Sequence, residues 1–492
     1  MTKPLFAALL IFSFLMPLAA QTPQPVKQLL KADYMQGATF SLMVKDVQTG
    51  DVLYEYDAGR EVTPASVLKT VTTATALELL GEDYRFPTSL EYDGKLTDGT
   101  LHGNLYIKGS GDPTLGSAHL TPDKNSFTPA RYAFITQWTA ALQRAGIHKI
   151  TGSVISDESI FDTEGISPKW QHEDMGNYYG AGSYGLNIFD NAYALCLSTG
   201  NAGERPVIEG SEPDITIRYH NYLTVATVQT DRAVIAGFPF LPERYLYGVV
   251  PANRPAYTLK GDIPDPALFL AEFLTEQLRR NGIAIDNPPS CHRIQAEAGH
   301  PLSRERQTLV TTYSPPLRQI VRITNERSHN LYADALLKTL GLRYTPARGE
   351  VITSFGRGIK TVQSHWQKKG IDTTPLRMYD GSGTALADKV SAAFLADMLA
   401  GMADRSPASE AFLQSLPKAG SEGTVANFLR GSSLQGKALL KSGSMTRVRC
   451  YAGYVRKGDR QYAVALLANN YSCKDRQMVQ ALEKLLLALF TN

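Results

Sequence analysis

Ser66 and Lys69 stand three residues apart in the run Pro64-Ala65-Ser66-Val67-Leu68-Lys69-Thr70. A serine hydroxyl becomes an effective nucleophile when a base takes its proton, and a lysine is such a base only when neutral. Lysine loses its charge when it is desolvated or crowded by a second cation. The pair therefore suits acyl transfer through a serine ester, provided both side chains share one face. Residues at i and i+3 do so on a helix. Val67, Leu68, Val71, Ala74, Leu77, Leu79 and Leu80 form an apolar stripe that predicts a helix entered at Pro64 and stopped at Gly81.

Ser-x-x-Lys is a short pattern, and the chain repeats it at Ser415-Leu416-Pro417-Lys418, where Pro417 opposes a helical pair. Two further tripeptides carry groups that the same chemistry needs. Lys441-Ser442-Gly443, followed by Ser444, ends a predicted strand, where Gly443 would let a ligand backbone approach closely. Ser328-His329-Asn330 falls between two helical patterns, over residues 317–325 and 331–340. A rival serine lies in Ala181-Gly182-Ser183-Tyr184-Gly185, which comes near a nucleophile elbow but lacks the apolar strand that should precede one. The nine histidines are scattered, and no His or Cys group has metal-ligand spacing. No metal and no cofactor is expected.

These motifs need a frame. Residues 39–44 and 52–56 are β-rich runs around Gln48-Thr49-Gly50-Asp51, a hairpin signal. Strand patterns return at 438–444, 450–455 and 462–468, and a helix over 474–490 repeats Met478, Leu482, Leu485, Leu486 and Phe490 at helical spacing. One antiparallel sheet joining the first hairpin to the last three strands is the economical fold, and a Gly458-Asp459 turn sets Cys450 opposite Leu467. Between these ends the texture is different. Turn signals and short β-rich runs dominate from residue 85, with a strand over 150–155 and more sheet over 206–250. Helices are predicted over 131–145, 266–280, 389–402 and 409–416.

Length and composition set bounds on these readings. The chain has 492 residues, 43% hydrophobic and 20% charged, with a formal net charge of +3. That balance is too small to argue for nucleic-acid binding. Lys3, an apolar run over 5–18 and Ala19-Ala20 before Gln21-Thr22-Pro23 read as a cleaved secretory signal over residues 1–20, too short for a stable membrane span. An exported chain permits disulfides, and Cys196 with Cys291 and Cys450 with Cys473 is the favoured pairing of three.

Taken in order, Ser66-x-x-Lys69, Ser328-x-Asn330 and Lys441-Ser442-Gly443 resemble the three-motif site of penicillin-recognising serine enzymes. The long stretch between the first two motifs resembles the low-molecular-mass class C penicillin-binding proteins, the D-alanyl-D-alanine carboxypeptidase/endopeptidase family. The runs 103–114 and 325–333, Asp380-Gly381-Ser382-Gly383 and Gly423-Thr424 agree with it. The resemblance departs at His329, where that pattern usually has Asp, and at Ser442, where it usually has Thr.

The resemblance implies an α/β (α+β) transpeptidase-like domain, with an antiparallel sheet flanked by helices, from residues 21–84 and 296–492. A β-rich insertion over 85–295 interrupts it. It also implies Ser66 as nucleophile, Lys69 as base, Ser328 as proton relay and Asn330 as a holder of substrate and Lys69. Lys441, Ser442, Gly443 and Ser444 form the substrate-binding edge, with the N–H groups of Ser66 and Ser444 as the oxyanion hole. Peptidoglycan stem peptides, cross-links and β-lactams are the implied ligands, in an exported enzyme. A β-lactamase or esterase on the same fold, or a wall-binding protein with a dead site, are the alternatives.

Overall fold

In the computed structural model, residues 22–120 and 131–490 are described. The expected signal segment lies outside them. The hairpin and the last three strands form one five-stranded sheet, in the order Val52–Tyr56, Thr39–Asp46, Arg460–Asn469, Val448–Lys457, Ala438–Met445, with every pair antiparallel. Cys450 pairs with Leu467. Alternation along the strands splits the sheet into two apolar faces. Met43, Cys450, Ala452, Tyr454, Ala463, Ala465 and Leu467 face the helical block, while Leu42, Val44, Tyr451, Val455, Val464 and Leu466 face the terminal helix Asp475–Phe490.

The helical block contains Lys69–Leu80, Leu317–Arg327, Asn330–Gly341, Ser354–Lys368, Ala392–Arg405 and Ser409–Ser415. The helix expected at Ser66 begins as a tight 3-10 turn, Ala65–Leu68, and becomes α-helical at Lys69. Ala65 has φ +47°, a conformation costly for a residue with a Cβ, and it throws the turn sharply toward the sheet. The helix expected over 389–402 starts later, at Ala392, because Ser391 caps it through Phe394 N–H, and Lys389 and Val390 bridge Arg377 and Val62. Ser354–Lys368 has no counterpart in the sequence reading. Its Gly356 and Gly358 weaken the local signal, but Gly358 is needed because a Cβ there would meet the Leu337 carbonyl oxygen at 2.2 Å.

Residues from Pro87 onward form a separate core around Leu90, Ile107, Trp138, Leu195, Leu270 and Leu274. Its largest sheet runs Ser290–Cys291, Val154–Asp157, Leu105–Lys108, Pro87–Tyr92, Gln307–Tyr313. The last of these strands lies past residue 295, so the inserted sheet is longer than expected. The single strand expected over 150–155 is two, Lys149–Ile150 and Val154–Asp157, in different sheets. Gly152 breaks it where the chain passes within touching distance of Gly103.

All four cysteines are free, which corrects the expected disulfides. Cys450 lies on the helical-block face of the main sheet and Cys473 packs on the opposite face, so the sheet separates them. Cys291 sits in the inserted core, while Cys196 takes the half-exposed positions of a strand whose neighbours Leu195 and Leu197 point inward.

Candidate active site

Three elements bring the three motifs together. The turn Ala65–Leu68 carries Ser66, packed against the edge strand Ala438–Met445. Here Gly443 has a different role from the one expected. A Cβ on it would stand 2.6 Å from the Pro64 carbonyl oxygen and 3.1 Å from the Ser66 and Val67 nitrogens. Gly443 thus admits the backbone of the turn that carries Ser66, and this contact sets Ser66 beside Ser444, the exposed residue next along the strand. Ser328 ends the helix Leu317–Arg327 in the left-handed conformation, φ +59°. That reversal starts a new helix at Asn330 and turns both Ser328 and Asn330 to the cleft.

Lys69 is fully buried. Its Nζ lies 2.9 Å from Ser66 Oγ, and donates to Asn330 Oδ1 at 2.7 Å and the Ser382 carbonyl at 2.6 Å. Burial pulls its pKa down to about 8, while Asp334, Asp380 and Asp388 push it upward. Lys441 is equally buried, and its Nζ donates to Ser328 Oγ at 2.9 Å and the Ser442 carbonyl at 2.7 Å. Burial, and then the nearby charge of Lys69, lower its pKa well below that of an ordinary lysine. Ser442 Oγ donates to Thr424 Oγ1 at 2.7 Å, so the hydroxyl braces the strand edge.

The carboxylates behind Lys69 had no assigned role in the sequence reading. Asp380 holds a tight loop: its Oδ1 accepts from Ser382 and Gly383 N–H, and its Oδ2 from Ala385 N–H and, at 2.7 Å, from Trp170 Nε1. The loop thereby aims the Ser382 carbonyl at Lys69. Asp334 accepts from Gly381 N–H and Asp388 from Tyr379 N–H. The Asp380-Gly381-Ser382-Gly383 run was visible in sequence, but nothing local marked Asp334 or Asp388.

The inserted region reaches the same place. The Tyr179 carbonyl accepts from Asn330 Nδ2 at 2.8 Å, and Trp170 is the partner of Asp380. His329 turns toward the inserted region. Its ring packs on Tyr332 and meets the His119 ring edge-on, with Nε2 3.6 Å from Asp190 Oδ1. No hydrogen bond joins it to Ser66, Lys69 or Lys441. The other serines fall away: Ser183 is buried, and Ser415 Oγ is taken up by Asn325 Nδ2 and the Phe412 carbonyl while Lys418 is exposed beside Glu422.

Comparison with known proteins comes to the same place. The profile of the family described as D-Ala-D-Ala carboxypeptidase 3 (S13) matches residues 23–488. The chain is 25% identical over 464 residues to the D-alanyl-D-alanine carboxypeptidase of Actinomadura sp. (strain R39), covering 91% of this chain and 81% of that one. It is 24% identical over 451 residues to the D-alanyl-D-alanine carboxypeptidase DacB of Haemophilus influenzae, covering 89% and 87%. The crystal structure of penicillin binding protein 4 (dacB) from Haemophilus influenzae shares the fold with a TM-score of 0.77 at 22% identity, over 94% of this chain and 99% of that chain.

Proposed function

Since the chain belongs to the D-Ala-D-Ala carboxypeptidase 3 (S13) family, we propose that Ser66 is the nucleophile with which this serine peptidase cleaves D-alanyl-D-alanine ends and peptide cross-links of peptidoglycan. β-Lactams are substrates of the same hydroxyl, trapped as slowly hydrolysed esters. The observation that carries this reading is a buried lysine of lowered pKa 2.9 Å from Ser66 Oγ.

The steps follow from the geometry. Neutral Lys69 takes the Ser66 proton as Oγ attacks the carbonyl carbon of the penultimate residue. The N–H groups of Ser66 and Ser444 receive the developing oxyanion. Ser328, held by a hydrogen bond from Lys441 Nζ, relays to the leaving amine the proton that Lys69 took, so that Lys69 is neutral again. Water then attacks the ester, giving a proton to the neutral Lys69, which passes it to Ser66 Oγ as the ester bond breaks and the hydroxyl is restored. Lys441 and Ser444 bind the substrate's terminal carboxylate, and Asn330 fixes both the substrate amide and Lys69. We assign this chemistry to residues 21–84 and 296–492 and substrate selection to the inserted region. Residues 1–20 direct export, to the compartment where peptidoglycan lies.

Among the described residues no helix is long and apolar enough to cross a membrane. The test is incubation of the purified protein with labelled penicillin and with cross-linked muropeptides, followed by peptide mapping. Label on Ser66 and release of D-alanine or of cross-link halves is the expected result. Fast penicillin turnover with no muropeptide cleavage would assign it to β-lactam hydrolysis instead.

A further inference from the structure

Beside the Ser-x-Asn turn, the fold gathers three metal-ligand side chains that sequence spacing kept apart. We propose that His119, Asp190 and His329 form a binding site for a divalent transition-metal cation of the zinc class, tying the inserted region to the turn that carries Ser328 and Asn330. One ligand atom from each lies within 4.8 Å of the other two. Two imidazoles and a carboxylate are a donor set that zinc accepts, leaving a position for water.

The distances favour a bridging cation over a simple contact. His329 Nε2 and Asp190 Oδ1 are 3.6 Å apart, too far for a hydrogen bond. Ligands bound at about 2.1 Å in a tetrahedron lie about 3.4 Å from each other. All three ligand atoms lie within 4.8 Å of one another, and the exposed side chain of His119 is the one that can adjust to complete the set.

The other two ligands are held in place. The His329 ring stacks at 4.1 Å on Tyr332, and its Nδ1 is sealed from solvent without a hydrogen-bond partner. Asp190 is the middle of three successive left-handed residues, Phe189 (φ +54°), Asp190 (φ +60°) and Asn191 (φ +48°). The Asn191 side chain keeps them there, accepting from Ile188 N–H and donating to the Gly182 carbonyl and Asn187 Oδ1. Tyr332 OH and Ala118 N–H donate to Asp190 from outside, at 3.3 Å each, as outer partners orient a metal-binding carboxylate.

The cleft containing these residues, about 470 Å³, opens His119 to solvent and so supplies an entry path. Arg131, Lys260 and Arg327 line it too, and their positive charge weakens the attraction for a cation.

The experiment uses the full chain without a histidine tag, stripped of metal. Zinc is titrated calorimetrically and cobalt by its visible absorption, in wild type, His119→Ala and Asp190→Asn. Expected are one ion per chain, a cobalt spectrum of a four-coordinate site, and at least a tenfold loss of affinity in each variant. His119 is exposed, so its variant keeps the fold, which circular dichroism verifies for both. Absence of saturable binding up to about 1 mM, or binding of equal affinity in wild type and both variants, would overturn the proposal.

Discussion

The cleft contains two lysines in matching positions with different surroundings. Lys69 and Lys441 are each fully buried, and each places Nζ 2.9 Å from a serine hydroxyl. Behind Lys69 stand Asp334, Asp380 and Asp388, which partly offset the burial and leave its pKa at about 8. The ammonium form of Lys441 meets burial and the charge of Lys69, both of which disfavour it. Burial alone therefore does not set a lysine's role; the countercharge behind it does.

Two lysines in one cleft raise the question of which one keeps its proton. In the structure burial is the first cause that lowers either lysine, and two ammonium groups so placed disfavour one another. The free cleft then lacks the anion that a charged Lys441 needs, and a substrate carboxylate supplies it.

The largest effect that would break this comparison concerns the Lys69 side. Ser66→Ala and Lys69→Met should each reduce penicillin labelling by at least about 10⁴-fold, as loss of a nucleophile or its base does in serine hydrolases, with the fold intact by circular dichroism. Label appearing on Ser183 or Ser415 would remove Lys69 from the chemistry.

On the other side, Lys441→Ala should lower kcat/KM by about 100-fold for peptides ending in a free carboxylate, roughly 2.7 kcal/mol. An uncharged ester analogue should lose about threefold or less. Equal losses on both would make Lys441 part of the acylation machinery and not an anion anchor.

The pH profile sharpens the contrast. Below its pKa Lys69 carries a proton and cannot accept one from Ser66, so acylation should rise with pH through about 8. With the uncharged ester, that limb should stay in place in Lys441→Ala. Calorimetry in buffers of different ionisation enthalpy adds a second readout on the Ser66→Ala protein. Binding of a carboxylate ligand should take up protons at about pH 9, above the Lys69 pKa, and fewer at about pH 7, where Lys69 already carries one.

A smaller effect tests the countercharge itself. A carboxylate favours the ammonium form, so Asp334→Asn should move the acid limb to lower pH, by up to about one unit. An unmoved limb would mean that Asp334, whose own pKa burial raises well above the usual range, is already protonated when Lys69 titrates.

Much of the frame was legible in the sequence, for reasons that are local. β-Rich composition between turn signals named the strands of the main sheet, helical spacing named the terminal helix, and turn residues fixed a register good enough to place Cys450 opposite Leu467. Ser66, Lys69, Ser328, Asn330 and Lys441 were legible as well, because each motif is short and self-contained. Ser354–Lys368 was not, since its glycines serve contacts with another helix that no local pattern records.

What only the tertiary structure decided depends on groups far apart in the chain. Gly443 is a glycine because Pro64 and Ser66 press on it, the cysteines stay apart because a sheet separates one pair and strand alternation the other, and His329 meets Asp190 and His119 across the boundary of the inserted region. The charge states follow the same logic. A pKa is set by everything within several ångströms, and for Lys69 that includes carboxylates more than 260 residues away in the chain, which no spacing along the sequence encodes.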